Sequence, residues 1–352
     1  MIRFSFRCLA FAAGLSLTCL TGGAMAQNPI DTIRPDAPEL AAFGDIPVGV
    51  QTLRLSNPAQ IDILNVTEDA TPTYNRPLLV EVWYPAVPGT EAGTSYQTVI
   101  RDGQTETILT GRANRDAAPA ELGRYPLVIL SHGYPGNRFL MSHLGENLAS
   151  KGYVTVSIDH TDSTYSDQGA FGSTLLNRPL DQRFVVDQMA ALEGPLGAII
   201  DADNVGVIGY SMGGYGAFKL ALNHPDRYAA AASLSGALDP VGLLNEMPER
   251  ADEWTHIFGD PPRVEGTGSD LFAQSHTLAE RGHGRFPLYA CCGTGDFIYH
   301  HSTKFRDHAN AVGLNLTYEE HVGQEHEWGY WDQQIQRVLE WLPWAKQEQA
   351  ER

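Results

Sequence analysis

Gly209-Tyr210-Ser211-Met212-Gly213 sits between an apolar run, Asn204 to Ile208, and a helix-forming run, Ala217 to Leu222. A G-x-S-x-G pentapeptide alone is a weak signal, because a chain with 35 glycines produces such spacings by chance. The strand before it and the helix after it make it specific, since a nucleophile elbow requires that strand–turn–helix setting. A turn this tight leaves no room for side chains at Gly209 and Gly213. Gly214 and Gly216 let the following helix lie close to the sheet. Ser211 is thereby expected at the carboxyl end of a central strand, with helix amides behind it to favour developing negative charge.

Working outward, Pro126 to Leu130, Tyr153 to Ile158, Val205 to Gly209 and Leu288 to Cys291 are further continuous apolar runs. Helical patterns fall between or after them, at about 139–150, 180–193, 212–223, 302–312 and 328–343. Apolar strands alternating with amphipathic helices predict a mostly parallel sheet covered on both faces, a three-layer α/β/α sandwich with right-handed crossovers. Before it, Val48 to Ser56, Ile61 to Val66 and Leu78 to Tyr84 alternate apolar and polar residues, as antiparallel strands do. Residues 85–124 read as a surface excursion. Residues 238–285 hold Trp254, Phe258, Pro261 and Pro262 with no clear strand. They are assigned as a lid, with an inert surface insertion as the alternative.

A serine hydroxyl becomes a nucleophile when a base takes its proton, and an acid must orient that base. In sheets of this kind the chain order is Ser, then Asp or Glu, then His. After Ser211 the first choice of acid is Asp296, which follows the strand Phe286 to Cys291 in the turn Gly293-Thr-Gly-Asp296. Asp239, after the apolar segment Ala229 to Leu234, is the reserve. His326 is the expected base, in the loop between the strand Leu314 to His321 and the last helix, with His321 second. Chain order removes His132, His143 and His160. His300, His301 and His308 surround a helix start and read as surface or capping residues. No H-x-x-x-H or H-E-x-x-H pair is present, so no catalytic metal and no cofactor are expected. Two backbone amides complete the machinery as an oxyanion hole. One is expected from Met212; the other is expected from Tyr134, in Ser131-His132-Gly133-Tyr134-Pro135, since Pro135 has no N–H to give.

Around these residues the chain resembles two branches of the α/β-hydrolase superfamily. Tyr125 to Asn137 and Val156-Ser-Ile-Asp-His160 resemble dienelactone-hydrolase-like and platelet-activating-factor acetylhydrolase-like proteins. From Gly209 onward it is similar to the tributyrin esterase and esterase D group, through Gly209 to Gly216, His224-Pro-Asp226, Cys292 to Asp296, and His326-Glu-Trp328 with Tyr330-Trp-Asp332. The resemblance covers about Leu78 to Pro343. It implies a Ser211–Asp296–His326 triad that hydrolyses short-acyl or aryl esters without a cofactor. Two departures matter. The elbow residue is serine where dienelactone hydrolases have cysteine, and the chain carries an export leader where S-formylglutathione-active relatives are cytoplasmic. A serine peptidase or thioesterase on the same fold is the second reading, and a retired binding protein the third.

That leader is Met1 to Ala26: two arginines without an acid, a short apolar run from Cys8 to Leu20, and Ala24-Met25-Ala26 before the expected cleavage point. The run is too short to span a bilayer, so an exported protein beginning near Gln27 is expected, without membrane insertion. Residues 27–352 then form one hydrolase domain. The formal charge of −18 over 352 residues, or −20 without Arg3 and Arg7, argues against nucleic acid as a partner. A small-molecule ester is the expected one. With Cys8 and Cys19 in the leader, only Cys291 and Cys292 remain, and both are expected as thiols on a buried strand.

Overall fold

The computed structural model describes residues 42–342, apart from 68, 260, 261 and the side chain of residue 256. The expected leader, residues 1–26, lies outside the described residues. In chain order the strands are β1 (Val48–Ile61), β2 (Thr73–Pro85), β3 (Thr94–Val99), β4 (Glu106–Gly111), β5 (Asn114–Arg115), β6 (Tyr125–Ser131), β7 (Val154–Asp159), β8 (Ser163–Thr164), β9 (Asp167–Gln168), β10 (Ile200–Tyr210), β11 (Ala230–Leu234), β12 (Leu288–Gly293) and β13 (Leu316–His321). The helices are α1 (Ser142–Ala149), α2 (Ser173–Ala190), α3 (Gly194–Ala198), α4 (Met212–Asn223), α5 (Pro240–Glu246), α6 (Ala251–Phe258), α7 (Leu271–Glu280), α8 (Tyr299–Ala311) and α9 (Trp328–Trp341).

Nine strands make one sheet in the order β13-β12-β11-β10-β6-β7-β2-β1-β5. Only β2 runs against its neighbours; β6, β7 and β10 to β13 pair in parallel. Parallel pairing demands crossovers, and the helices supply them on both faces. Period-two alternation sorts each central strand between two cores. Leu127, Ile129, Val205, Val207, Leu288 and Ala290 face α2, α4 and α8, where Val185, Phe218 and Phe305 pack. Val128, Leu130, Ile208, Leu234, Tyr289 and Cys291 face α1 and α9, against Leu144, Trp331 and Ile335. With both faces covered, the strands read as unbroken apolar runs, which is why they were visible in sequence. Cys291 and Cys292 are free, buried thiols on β12; burial pushes the Cys291 thiol up to about 12 and raises that of Cys292 too.

Three expectations change. Ile61 to Val66 is not a strand. The Asp62 carbonyl accepts from the Asn65 N–H at 3.0 Å and its carboxylate from the Asn65 side-chain amide at 2.8 Å, closing a 3₁₀ turn over Ile63–Asn65. Helix α2 begins seven residues earlier than expected and carries Pro179 in its interior. Buried polar side chains on those extra turns, Asn177 and Arg178, give tertiary hydrogen bonds that offset the one proline removes.

The excursion 85–124 is tied to the core rather than lying loose on the surface. Its hairpin β3–β4 buries Tyr96, whose hydroxyl accepts from the Trp83 indole at 2.8 Å and donates to Glu146 Oε1 at 2.5 Å. Glu146, buried on α1, also accepts from the Arg112 and Ala113 amides at 2.8 and 3.2 Å. One carboxylate therefore holds the hairpin and its return strand. Glu146→Ala strands two backbone donors and a buried phenol, so it is expected to cost about 3 kcal/mol, read by chemical denaturation.

Residues 238–285 form α5, α6 and α7 with no strand between them, packed beside α2, α4 and α8. No described helix is long and apolar enough to cross a membrane.

Candidate active site

Loops from the carboxyl ends of β6, β10, β12 and β13 converge on one cleft of about 370 Å³ whose walls include Gly133, Tyr134, Ser211, Gly295, His326 and Trp331. Doubly wound sheets place ligands outside these strand ends. Among the described residues none of 238–285 lines this cleft. That block approaches it indirectly: Trp254, buried in the core, packs on Phe171, and Phe171 packs edge-on to Tyr134. The Glu253 carboxylate also accepts from the Gly172 amide at 2.6 Å.

Ser211 sits at φ 51°, ψ −124°, between β10 and the first turn of α4. A non-glycine residue in this region is strained, and the surroundings must hold it there. They do so by close backbone approach. A β-carbon on Gly209 would stand 2.3 Å from the Gly213 backbone, and one on Gly213 would stand 2.1 Å from the Ser131 carbonyl oxygen. The Met212 amide opens α4, where first-turn N–H groups lack helical partners.

Asp296 follows β12 and His326 follows β13, thirty residues apart in sequence. The carboxylate oxygens accept from His326 Nδ1 at 2.9 and 3.1 Å, leaving Nε2 for the cleft that His326 shares with Ser211. Burial pushes the Asp296 carboxyl up, but the hydrogen bonds from His326 and the Ile298 amide outweigh it and hold the carboxyl below its ordinary range. The imidazole is further fixed by Trp331, edge-on at 4.8 Å, and by Phe297, tilted at 4.8 Å. The reserve residues sit elsewhere. Asp239 caps α5 and faces His301, while His321 pairs with the Tyr330 hydroxyl.

The sequence reading missed Arg178. This guanidinium is fully buried and donates to the Gly133 carbonyl at 2.6 Å and to Ser163 Oγ at 2.6 Å. His132 Nδ1 lies 2.7 Å from the same carbonyl. In a trans peptide the carbonyl of one residue and the N–H of the next point in opposite directions. Drawing the Gly133 carbonyl inward therefore turns the Tyr134 N–H outward, toward the cleft. Burial pulls Arg178 down to about 9, so it remains a cation at neutral pH and polarises that peptide. Arg178→Met is expected to lower kcat by about 10²–10³-fold with KM nearly unchanged, the magnitude of one lost oxyanion donor. Steady-state kinetics on a variant checked for native circular dichroism tests this.

A second Ser–His–Asp chain lies behind this loop. Ser131 Oγ is 2.9 Å from His160 Nε2, and His160 Nδ1 is 2.9 Å from Asp181, which Arg76 grips with two further hydrogen bonds. All of its members are buried. With no route for a substrate, this chain fixes the end of β6.

Comparison with known proteins fits this architecture. Residues 117–237 match a family model described as PET hydrolase-like. A cutinase of Thermobifida alba is 37% identical over 112 residues, covering 32% of this chain and 35% of that protein. An acetyl esterase of Caldicellulosiruptor saccharolyticus is 26% identical over 140 residues, covering 38% and 52%. The chain thus matches about a third of the cutinase's length and half of the esterase's. The substrate-bound fluorophosphonate-binding serine hydrolase F of Staphylococcus aureus superposes with a TM-score of 0.55 at 19% identity, over 84% of this chain and 98% of that one. The family match ends before Asp296 and His326. By strand order and by this neighbour, the chain has the α/β-hydrolase fold, with a central segment similar to PET hydrolases.

Proposed function

We propose that the chain is an exported serine esterase that hydrolyses short-acyl or aryl carboxylic esters through an acyl-enzyme on Ser211. The observation that carries this reading is the Asp296–His326 pair, set in the same cleft as a strained Ser211. In the mechanism, Ser211 Oγ attacks the ester carbonyl carbon as His326 Nε2 takes its proton. The carbonyl oxygen becomes an oxyanion held by the Tyr134 and Met212 amides, and Asp296 stabilises the imidazolium. Collapse breaks the bond to the alcohol oxygen, which leaves with the proton from His326. Water then attacks the acyl-enzyme with His326 again as base, releasing the acid and restoring Ser211.

The cutinase and acetyl esterase relatives support ester chemistry. A cleft of about 370 Å³ lies at the small end of ligand sites, and Tyr134, Tyr165 and Trp331 along it suit a short acyl or aromatic group. Turnover of p-nitrophenyl esters from acetate to decanoate is expected to fall with chain length and to exceed p-nitroanilide turnover by orders of magnitude. Comparable amide turnover would favour the peptidase reading instead. Export rests on Met1 to Ala26, and N-terminal sequencing of the protein recovered outside the cytoplasm is expected to begin at Gln27.

A further inference from the structure

Outside the residues that line the cleft, α5 and α8 bring together three side chains that the esterase chemistry does not use. Glu246 ends α5; His300 and His301 open α8. His300 Nε2 lies 3.0 and 2.9 Å from the two Glu246 oxygens, and His301 Nε2 lies 3.1 Å from one of them. One ligand atom from each residue falls within 4.8 Å of the other two. We propose that Glu246, His300 and His301 form a binding site for a divalent transition metal of the zinc type, which clamps the 238–285 insertion to α8.

Three features suit a metal at this cluster. First, His301 is buried, and its Nδ1 lies 3.3 Å from the Asp239 carboxylate. Carboxylates therefore flank both of its nitrogens. A neutral ring without metal can donate to only one of them, and its other lone pair would face negative charge. With a metal on Nε2, Nδ1 stays 3.3 Å from Asp239, within reach of the outer carboxylate that zinc-ligating histidines commonly carry. Second, the two rings lie 3.9 Å apart, centroid to centroid. That stacking brings both Nε2 atoms to the same Glu246 oxygen, at 2.9 and 3.1 Å. Third, ligands about 2.0–2.2 Å from zinc at tetrahedral angles stand about 3.3–3.6 Å apart, a small opening from the 2.9–3.1 Å nitrogen–oxygen separations found here. Two imidazoles with one carboxylate favour zinc, copper or nickel over calcium and magnesium. Asp239 is itself held by the Gly242 amide at 2.8 Å and by Lys304 Nζ at 3.5 Å, so the outer partner is anchored. The two histidines are adjacent in sequence and their carboxylate comes from across the insertion. No spacing motif could therefore reveal the site.

The test is calorimetric titration of Zn²⁺ into EDTA-stripped protein, with thermal melts alongside. Wild type is expected to bind one equivalent and to melt higher with Zn²⁺ present. Glu246→Gln and His300→Ala, both at exposed positions, are expected to weaken binding at least about 100-fold and to abolish the melting shift. Asp239→Asn is expected to weaken it about 10- to 100-fold. Failure of wild type to bind Zn²⁺ would overturn the proposal. So would equal binding in the Glu246 and His300 variants, which would place the ion on other histidines, or tighter binding of Ca²⁺ than Zn²⁺.

Discussion

Ser211→Ala is expected to lower kcat/KM for p-nitrophenyl butyrate by about 10⁴- to 10⁶-fold while leaving the melting temperature nearly unchanged. The size follows from how the site is divided. Removing the hydroxyl abolishes the acyl-enzyme route outright, leaving only the oxyanion amides and binding to assist direct attack by water. The fold is expected to tolerate the change because Ser211 is only partly buried, and its strained backbone is imposed by neighbours rather than by its side chain. A fluorophosphonate is expected to label the parent and not the variant. If the variant retains turnover within tenfold of the parent, Ser211 is not the nucleophile.

Asp296→Asn is expected to lower kcat by about 10⁴-fold. The substitution is nearly isosteric, so the cause is protonic rather than steric. Asp296 accepts from His326 Nδ1, which fixes the tautomer with a free Nε2. An asparagine amide can donate to Nδ1 instead, which puts the remaining proton on Nε2, where it points at Ser211 and cannot accept. The variant also loses the charge that stabilises the imidazolium. In the parent, the depressed carboxyl keeps that charge in place at working pH; the stability it contributes is present above the ordinary carboxylate value and lost as pH falls through the lowered one. A kcat within tenfold of the parent would remove Asp296 from the mechanism.

How much of this was legible in sequence depends on which forces set each feature. The central strands were legible because two-sided burial writes itself as unbroken apolar runs, and α4 matched its expected span of 212–223 because Ser211 precedes it and His224-Pro225 ends it. Asp296 and His326 were singled out by chain order and strand ends, and the structure hydrogen-bonds them to each other. Arg178 was not found. Nothing in its neighbours signals that α2 starts before Pro179, and a lone arginine in a helical stretch ordinarily marks a solvated face. The two Ser–His–Asp chains make the same point from the other side. The buried Ser131–His160–Asp181 chain is hydrogen-bonded throughout, whereas Ser211 shares an open cleft with the Asp296-paired His326.

The paired thiols of β12 have a use in measurement. Cys291 and Cys292 lie one strand in from the sheet edge, between β11 and β13, and their raised proton affinity keeps them unreactive while covered. An alkylating reagent therefore reaches them only in molecules whose sheet has come apart around β12. The rate of thiol labelling in native buffer counts those openings directly, and turns two chemically silent residues into a clock for the least accessible part of the fold.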